Sequence, residues 1–393
     1  MTAAARRRQV AGRRPGARQL AALAGAHGTP LLVVDCDTVR RQYRELAAAL
    51  PGVGFFYALK PLPNAAVVAT LRDLGCGFDV ATAGEIALVR SQGVPAGRCI
   101  HTHPIKRDSE IAAALRFGIR RFVADNPDEI RKFVPYRRRA ELLLRVSFRS
   151  PSAVVDLSRK FGCEPAAVAP LVELASRLGV RVRGLSFHVG SQVADSSKYV
   201  EAIDACREVM RQVAERGLGQ LDVLDIGGGF PIPYGNPTEP IGRFCRPIRR
   251  ELATLPPGVA VIAEPGRFIA GPAGTCVAAV VGRAQREGRW WYYLDDGLYG
   301  SFSGQLYDHA VYPIESLRTR GPRQPSVLAG PTCDSIDVIA ENILLPKLKV
   351  GDLILGRAMG AYTWASASEF NFFPRATVVS VNETPGDTGK VED

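Results

Sequence analysis

The sequence predicts an α/β protein: a (β/α)8 barrel of the TIM type, followed by a smaller β-domain of sandwich or barrel form. Eight short apolar runs alternate with Ala-rich, amphipathic segments between residues 54 and 268. Those intervening segments carry helical periodicity and often end in glycine. Beyond residue 268 the helical period gives way to short β-rich runs divided by Gly, Pro and Asn. Strict strand–helix alternation requires parallel strands with right-handed crossovers, and eight such units are the number that closes a barrel.

The runs are GFFYALK (54–60), GFDVAT (77–82), CIHTHP (99–104), RRFVAD (120–125), ELLLRVSF (141–148), VRGLSFHVG (182–190), LDVLDIGGGF (221–230) and GVAVIAEPGRF (258–268). PNAAVVATLRDLG and AGEIALVRSQG are examples of the helices between them. A doubly wound open sheet would show a G-x-G-x-x-G turn after its first strand, and here the first run leads into YALKPLPN instead. The predicted domains are a basic, solvated tail (1–30), the barrel (31–268) and the β-domain (269–393), with LLVVD (31–35) a strand donated to the β-domain.

With 46% hydrophobic and 23% charged residues, the composition excludes disordered, collagenous and coiled-coil classes. No run approaches the ~20 apolar residues that span a bilayer, and the N-terminus lacks an apolar leader, so a cytoplasmic protein without a membrane partner is expected. The net charge of +11 raises the question of a nucleic-acid partner. Six arginines (Arg6, Arg7, Arg8, Arg13, Arg14, Arg18) precede the first acidic residue, Asp35, so much of the excess belongs to the tail and no such partner is expected. The eight cysteines contain no C-x-x-C, which fits reduced thiols in a core or a single catalytic thiol.

In such barrels chemistry sits where the strands end. The first run ends in Lys60, which by alternation shares a face with Phe56 and Ala58; it is either an imine-forming amine or a rim lysine reaching water. The seventh ends in Asp225-Ile226-Gly227-Gly228-Gly229, a place where backbone can approach a phosphate, or a tight turn. The eighth supplies Glu264 and Arg267, a carboxylate and a guanidinium. The sixth supplies His188, suited to stack on a flat ring, and Ser191. An imine-forming lysine, an anion cradle and an opposing acid are the parts that hold pyridoxal 5′-phosphate. His101 and His103 raise a metal alternative, since H-x-H on a strand puts both imidazoles on one face, but no further histidine-rich strand end completes a ligand set.

The series YALK, GFDVAT, SFHVGS, DIGGGFP, EPGRF, DDGLYGSF, YDHAVYP, GPTCDSIDVI and MGAYTWASASEFNFF resembles, in order and over about residues 30–383, the fold type III (alanine racemase-like) pyridoxal-phosphate decarboxylases, specifically the eukaryotic-type ornithine and the lysine/ornithine enzymes. The resemblance implies that Lys60 bonds the cofactor, His188 stacks on its ring and Glu264 meets its ring nitrogen. It implies Ser191, Gly228, Gly229, Arg267 and Tyr362 around the phosphate, with Asp79 and Arg145 in supporting positions. It makes Cys333 the proton donor, gives Asp308 and Asp334 the substrate's distal amino group, and lines that pocket with Tyr299 and Phe370. It also implies a homodimer whose sites combine residues of both subunits.

A carboxylate on the ring nitrogen keeps the ring protonated and favours decarboxylation over racemisation. Paired acids select a basic substrate, because any other would leave them uncompensated. The expected reaction is therefore decarboxylation of L-ornithine or L-lysine to putrescine or cadaverine. Decarboxylation of an N-modified ornithine, or a catalytically silent regulatory homologue, are the alternatives. Two departures from the family pattern bear on the substrate mouth: Lys60 is followed by Pro61-Leu62-Pro63-Asn64, and His103 stands where the related enzymes tend to have Asn.

Overall fold

The structure is a computed structural model that describes residues 14–148, 160–235 and 237–383. It divides into two compact units: Gln42–Ile232 with Thr238–Phe268, and Met1–Arg41 with Pro233–Pro237 and Ile269–Asp393.

The strands, in chain order, are β1 (Leu31–Asp35), the barrel strands β2 (Gly54–Ala58), β3 (Gly77–Val80), β4 (Cys99–His101), β5 (Arg121–Ala124), β6 (Glu141–Val146), β7 (Arg181–Phe187), β8 (Val223–Asp225) and β9 (Ala260–Ala263), then β10 (Gly274–Arg286), β11 (Arg289–Leu294), β12 (Ile314–Ser316), β13 (Arg323–Ala329), β14 (Val338–Pro346), β15 (Leu353–Arg357) and β16 (Thr377–Val381). Strands β2 to β9 are all parallel and close on themselves through β2 and β9, where Gly54 pairs with Ile262 and Phe55 with Ala263. Seven of the eight runs read from the sequence contain one of these strands, and β7 begins one residue ahead of the remaining run, 182–190.

The helices between them begin where short polar side chains take up the first free amides. Asn64 accepts from the Val67 amide at 3.1 Å, Thr82 from Glu85 at 3.3 Å and Asn126 from Glu129 at 2.9 Å, the last with Pro127 at the first helical position. Each such cap contributes about 1 kcal/mol. All three follow barrel strands directly, so they fix the loops on the face where chemistry is expected.

Inside the barrel, Phe56, Ile100, Val123, Leu143, Val223 and Ile262 form one apolar layer. Side chains alternate along a strand, so a step of two residues toward the C-terminus stays on the inner face. That step converts the layer into Ala58, Thr102, Asp125, Arg145, Asp225 and Glu264. The apolar plug thus carries a polar layer directly above it, and the polar layer is the floor of any site at this end.

In the other unit an eight-stranded sheet runs β12-β15-β10-β11-β13-β14, and β1 pairs antiparallel with β10 and parallel with β16. Its core gathers Tyr292, Leu294, Phe302, Tyr312 and Leu328, all buried. The donation of 31–35 to this sheet is therefore observed. The solvated tail expected over 1–30 is not what the chain forms throughout: Ala17–His27 is a helix whose Leu20 and Ala24 are buried against Leu31, Val33, Val277 and Leu355. Its apolar spacing had been masked by the surrounding arginines. Residues 1–13, with four of those arginines, lie outside the described residues.

The H-x-H pair does not converge as strand alternation would have it, because β4 stops at His101. His101 is fully buried with its ring 5.7 Å from that of Phe122, whereas the His103 ring lies edge-on to Phe161. Neither ring nitrogen of His101 has a hydrogen-bond partner among the described residues. Burial, then the charges of Lys106 and His103, lower its pKa to about 3. An unfolded histidine takes up a proton near 6.5, so between these values the unfolded chain binds more protons and stability falls as pH drops. His101→Phe, which keeps the ring contact and removes the unpaired nitrogens, is expected to raise stability by about 1–2 kcal/mol at pH 8. The gain should be larger by about 2 kcal/mol at pH 5, where the protonation penalty also disappears. Melting temperatures of the two proteins at both pH values check this.

Candidate active site

The polar layer brings together most of the barrel residues singled out from the sequence. Asp79, on β3, is buried and accepts the Thr102 hydroxyl at 2.6 Å. Burial, followed by repulsion from Glu264, pushes its pKa well up, against the opposing pull of Lys60. Glu264, just beyond β9, is buried, and its pKa is pushed well up by burial and by the neighbouring carboxyl of Asp225. Lys60 follows β2 and is exposed at the rim, close enough for its charge to act on Asp79, Glu264, Glu85 and His188. Arg145, on β6, faces Glu264, Asp125, Asp225 and Asp79, and its guanidinium lies 5.6 Å over the Phe161 ring.

His188 follows β7, and its Nδ1 accepts the Gly190 amide at 3.1 Å, which fixes the ring's orientation. Burial and the positive charges of Lys60 and Arg145 hold its pKa well below the usual histidine range, so it is a neutral imidazole. A Cβ on Gly228 would lie 3.4 Å from His188 Nε2 and 2.6 Å from the Glu264 carbonyl oxygen. One on Gly229, where φ is +110°, would lie 2.3 Å from the Gly190 carbonyl oxygen. The glycines are thus required by close backbone approach, leaving bare amide surface beside the imidazole. Arg267 donates from Nη2 to Ser191 Oγ at 3.1 Å, placing a guanidinium and a hydroxyl together beside this loop.

Three supports of the cradle were not legible as site residues. Tyr199, buried in the helix Ser197–Glu215 and stacked on Phe230, donates its hydroxyl to the Gly228 carbonyl at 2.8 Å. Gln192 clasps Ile232 through both its amide oxygen (2.8 Å) and nitrogen (2.9 Å). Asp225 accepts the Gly227 amide at 2.9 Å. Asp225 at least had a signal, since it opens the D-I-G-G-G run; Tyr199 and Gln192 are ordinary helix and loop residues by sequence.

The β-domain residues form a second group, within their own unit. Tyr299 donates its hydroxyl to Asp334, and its ring stacks on Phe370 with centroids 4.4 Å apart. The hydrogen bond from Tyr299 keeps the Asp334 carboxylate below its usual range. Cys333 is exposed, and its amide donates to Asn371 Oδ1 at 3.1 Å, tying it to the segment that carries Phe370. Beneath them buried Asp337 accepts the amides of Leu298 (2.7 Å) and Thr332 (3.1 Å), pinning the DDGLYG and PTCD loops to one another. Asp308 ends the short helix Gly304–Tyr307, and Tyr362 sits in a left-handed turn with φ of +54°.

The barrel residues fit pyridoxal phosphate. Glycines that admit no Cβ, next to a guanidinium and a hydroxyl, suit its phosphate. A neutral imidazole suits its ring face, a lysine at the rim its aldehyde, and a buried carboxyl pair its ring nitrogen.

Residues 36–271 match the family described as pyridoxal-dependent decarboxylase, pyridoxal binding domain. The lysine/ornithine decarboxylase of Selenomonas ruminantium is 37% identical over 369 residues, covering 94% of this chain and 93% of its own. Among solved structures, the lysine/ornithine decarboxylase of Vibrio vulnificus complexed with putrescine is 55% identical, with a TM-score of 0.90 over 94% of this chain and 98% of that one. SrLDC in complex with PLP and cadaverine is 35% identical, with a TM-score of 0.88 over 95% and 96%. The chain therefore belongs to the fold type III, pyridoxal-phosphate-dependent ornithine/lysine decarboxylases, and is a carboxy-lyase.

Proposed function

We propose that the chain decarboxylates L-ornithine or L-lysine, releasing putrescine or cadaverine. The observation that carries this reading is the buried Glu264 carboxyl on the barrel's polar layer, within electrostatic reach of Lys60 and beside the glycine cradle. Pyridoxal phosphate supplies an electron-withdrawing ring that accepts the electron pair left as CO2 departs. Lys60 would hold the cofactor through its aldehyde carbon and would give that carbon up to the substrate amine. The amides at Gly228 and Gly229, with Ser191, Arg267 and Tyr362, bind the phosphate. His188 supports the ring face, Asp79 and Arg145 set the charge around it, and Glu264 holds the ring nitrogen's proton. Asp308 and Asp334 receive the distal ammonium in a pocket lined by Tyr299 and Phe370, which excludes substrates lacking that charge. Cys333 gives the proton that completes Cα.

The enzyme acts as a homodimer in the cytoplasm on this reading. The resemblance supports composite sites, in which Cys333 and Asp334 of one subunit serve Lys60 and Glu264 of the other. All eight cysteines are free thiols, which suits a reducing compartment. No helix among the described residues is long and apolar enough to cross a membrane.

The test is incubation of the purified chain and pyridoxal phosphate with ornithine, lysine, N-modified ornithines and both enantiomers, reading CO2 and amine. Putrescine or cadaverine from the L-amino acids supports the reading. Turnover of a modified ornithine alone moves the substrate, racemisation without CO2 replaces the reaction, and a silent protein with intact cofactor makes the chain a regulator.

Cys333→Ala should lower turnover by about 10²–10⁴ and divert part of the product to aldehyde, because Cα then goes unprotonated while another carbon of the complex takes the proton. Its exposed position makes little change in stability expected. Unchanged turnover and product ratio would remove Cys333 from this role.

A further inference from the structure

The acid–base inventory of the barrel's polar layer does not balance, and the imbalance falls on one pair. Three buried carboxyl groups, Asp79, Asp225 and Glu264, face two cations, Lys60 and Arg145. The histidine facing them, His188, is neutral. Farther out, Glu85 faces Lys60 and Asp125 faces Arg145, which adds acid rather than base. Two of the three central carboxylates have donors from the protein: Asp79 accepts the Thr102 hydroxyl, and Asp225 Oδ1 accepts the Gly227 amide. Asp225 Oδ2 is buried with no N–H or hydroxyl partner among the described residues, and the carboxyl in contact with Asp225 is that of Glu264. Two buried carboxylates in contact cannot both ionise, and a proton between them converts the repulsion into a hydrogen bond. The unpartnered oxygen is filled if Glu264 carries the proton and donates it to Asp225.

We propose that Asp225 is a positioning residue that keeps a proton on Glu264, and that Glu264 hands this proton to the ring nitrogen when pyridoxal phosphate seats. The inference rests on the cofactor reading above. The O–H bond of Glu264 breaks, an N–H bond forms on the ring, and the Glu264 carboxylate that remains pairs with the ring cation it has made. Asp225 stays ionised throughout, so the ring proton is supplied from within the site and not from water that the filled site would exclude. Backbone geometry keeps the pair in register: Glu264 donates its amide to the Gly227 carbonyl at 2.9 Å, and Gly227 donates its own amide to Asp225. Gly227 holds φ of +66°, and a Cβ there would lie 2.3 Å from the Phe187 carbonyl oxygen.

The experiment is infrared spectroscopy of the full chain prepared without cofactor, in H2O and D2O, following the C=O stretch of a protonated carboxylic acid near neutral pH. Wild type should show the band. Glu264→Gln should lose it, since two carboxylates then face two cations. Asp225→Asn should lose it as well, while its side-chain oxygen still accepts the Gly227 amide and the melting temperature stays close to wild type. Adding pyridoxal phosphate, at a pH where the free ring nitrogen carries no proton, should abolish the band. A 1-deaza analogue, which has carbon in place of the ring nitrogen, should leave it intact. Absence of the band in wild type, or its survival in Glu264→Gln, overturns the proposal, as does its loss with the deaza analogue. Should pyridoxal phosphate fail to bind, the cofactor reading falls, while the cofactor-free spectra still decide whether Asp225 keeps a proton on Glu264.

Discussion

Lys60→Ala is expected to cut decarboxylation by at least about 10⁴-fold if Lys60 bonds the cofactor as proposed, because such a residue acts as part of a unit whose other members cannot replace it. The fold should survive. Lys60 is exposed at the rim, beyond the last residue of β2, and the apolar layer that plugs the barrel lies below it. Stability should change by no more than about 1 kcal/mol. The loss also removes one of the cations that face Asp79 and Glu264, so the remaining acid layer holds its protons more firmly. Borohydride reduction followed by mass analysis reads the covalent link directly: wild type should retain cofactor mass and Lys60→Ala should not. Covalent trapping in the variant would assign the bond to another amine.

Activity regained from two dead proteins is the second expectation. If Cys333 of one subunit serves Lys60 of the other, a mixed dimer of Lys60→Ala and Cys333→Ala places both lesions in one site and none in its twin. Random exchange makes about half of the dimers mixed, each with one good site, so activity should return to roughly a quarter of wild type. Mass spectrometry of the intact dimers confirms exchange. Exchange without recovered turnover would place the whole site in one chain.

The fold was legible because its two periods differ: runs with strand character repeat between segments with helix character, and every run overlaps an observed strand. The barrel residues of the site were legible in part for a related reason. Glu264 closes the eighth run, two positions past Ile262 of the apolar layer, so strand alternation sends it to the inner face; Arg145, equally placed past Leu143, is named through the family resemblance, and Asp225, past Val223, is not read as a site residue. Tyr199 was not legible, since its place in the helix Ser197–Glu215 is that of a core residue and its hydroxyl matters only once Gly228 is folded beneath it. The helix Ala17–His27 is hidden by the charge around it, although Leu20 and Ala24, four residues apart, are the signal of a packed face. His101 and His103 mislead for the opposite reason, since His103 lies two residues past the end of β4, where alternation no longer applies.

Strand β1 lies between β10 and β16, with Leu31 in register with both Val277 and Thr377. A ribosome makes β1 early, β10 only after the barrel strands, and β16 after every other strand. The barrel unit is finished, apart from the short excursion at Pro233–Pro237, once residue 268 has emerged. Strand β10 follows within a few residues and can cover one edge of β1, but the other edge of this LLVVD strand must wait more than a hundred residues for β16. The timetable of synthesis therefore separates two halves of one protein: the cofactor-binding barrel can collapse on the nascent chain, and the other half can only be sealed once β16 has been made. A chain stopped before Thr377 would keep every barrel residue discussed above and still leave one edge of β1 open to strand addition from another molecule.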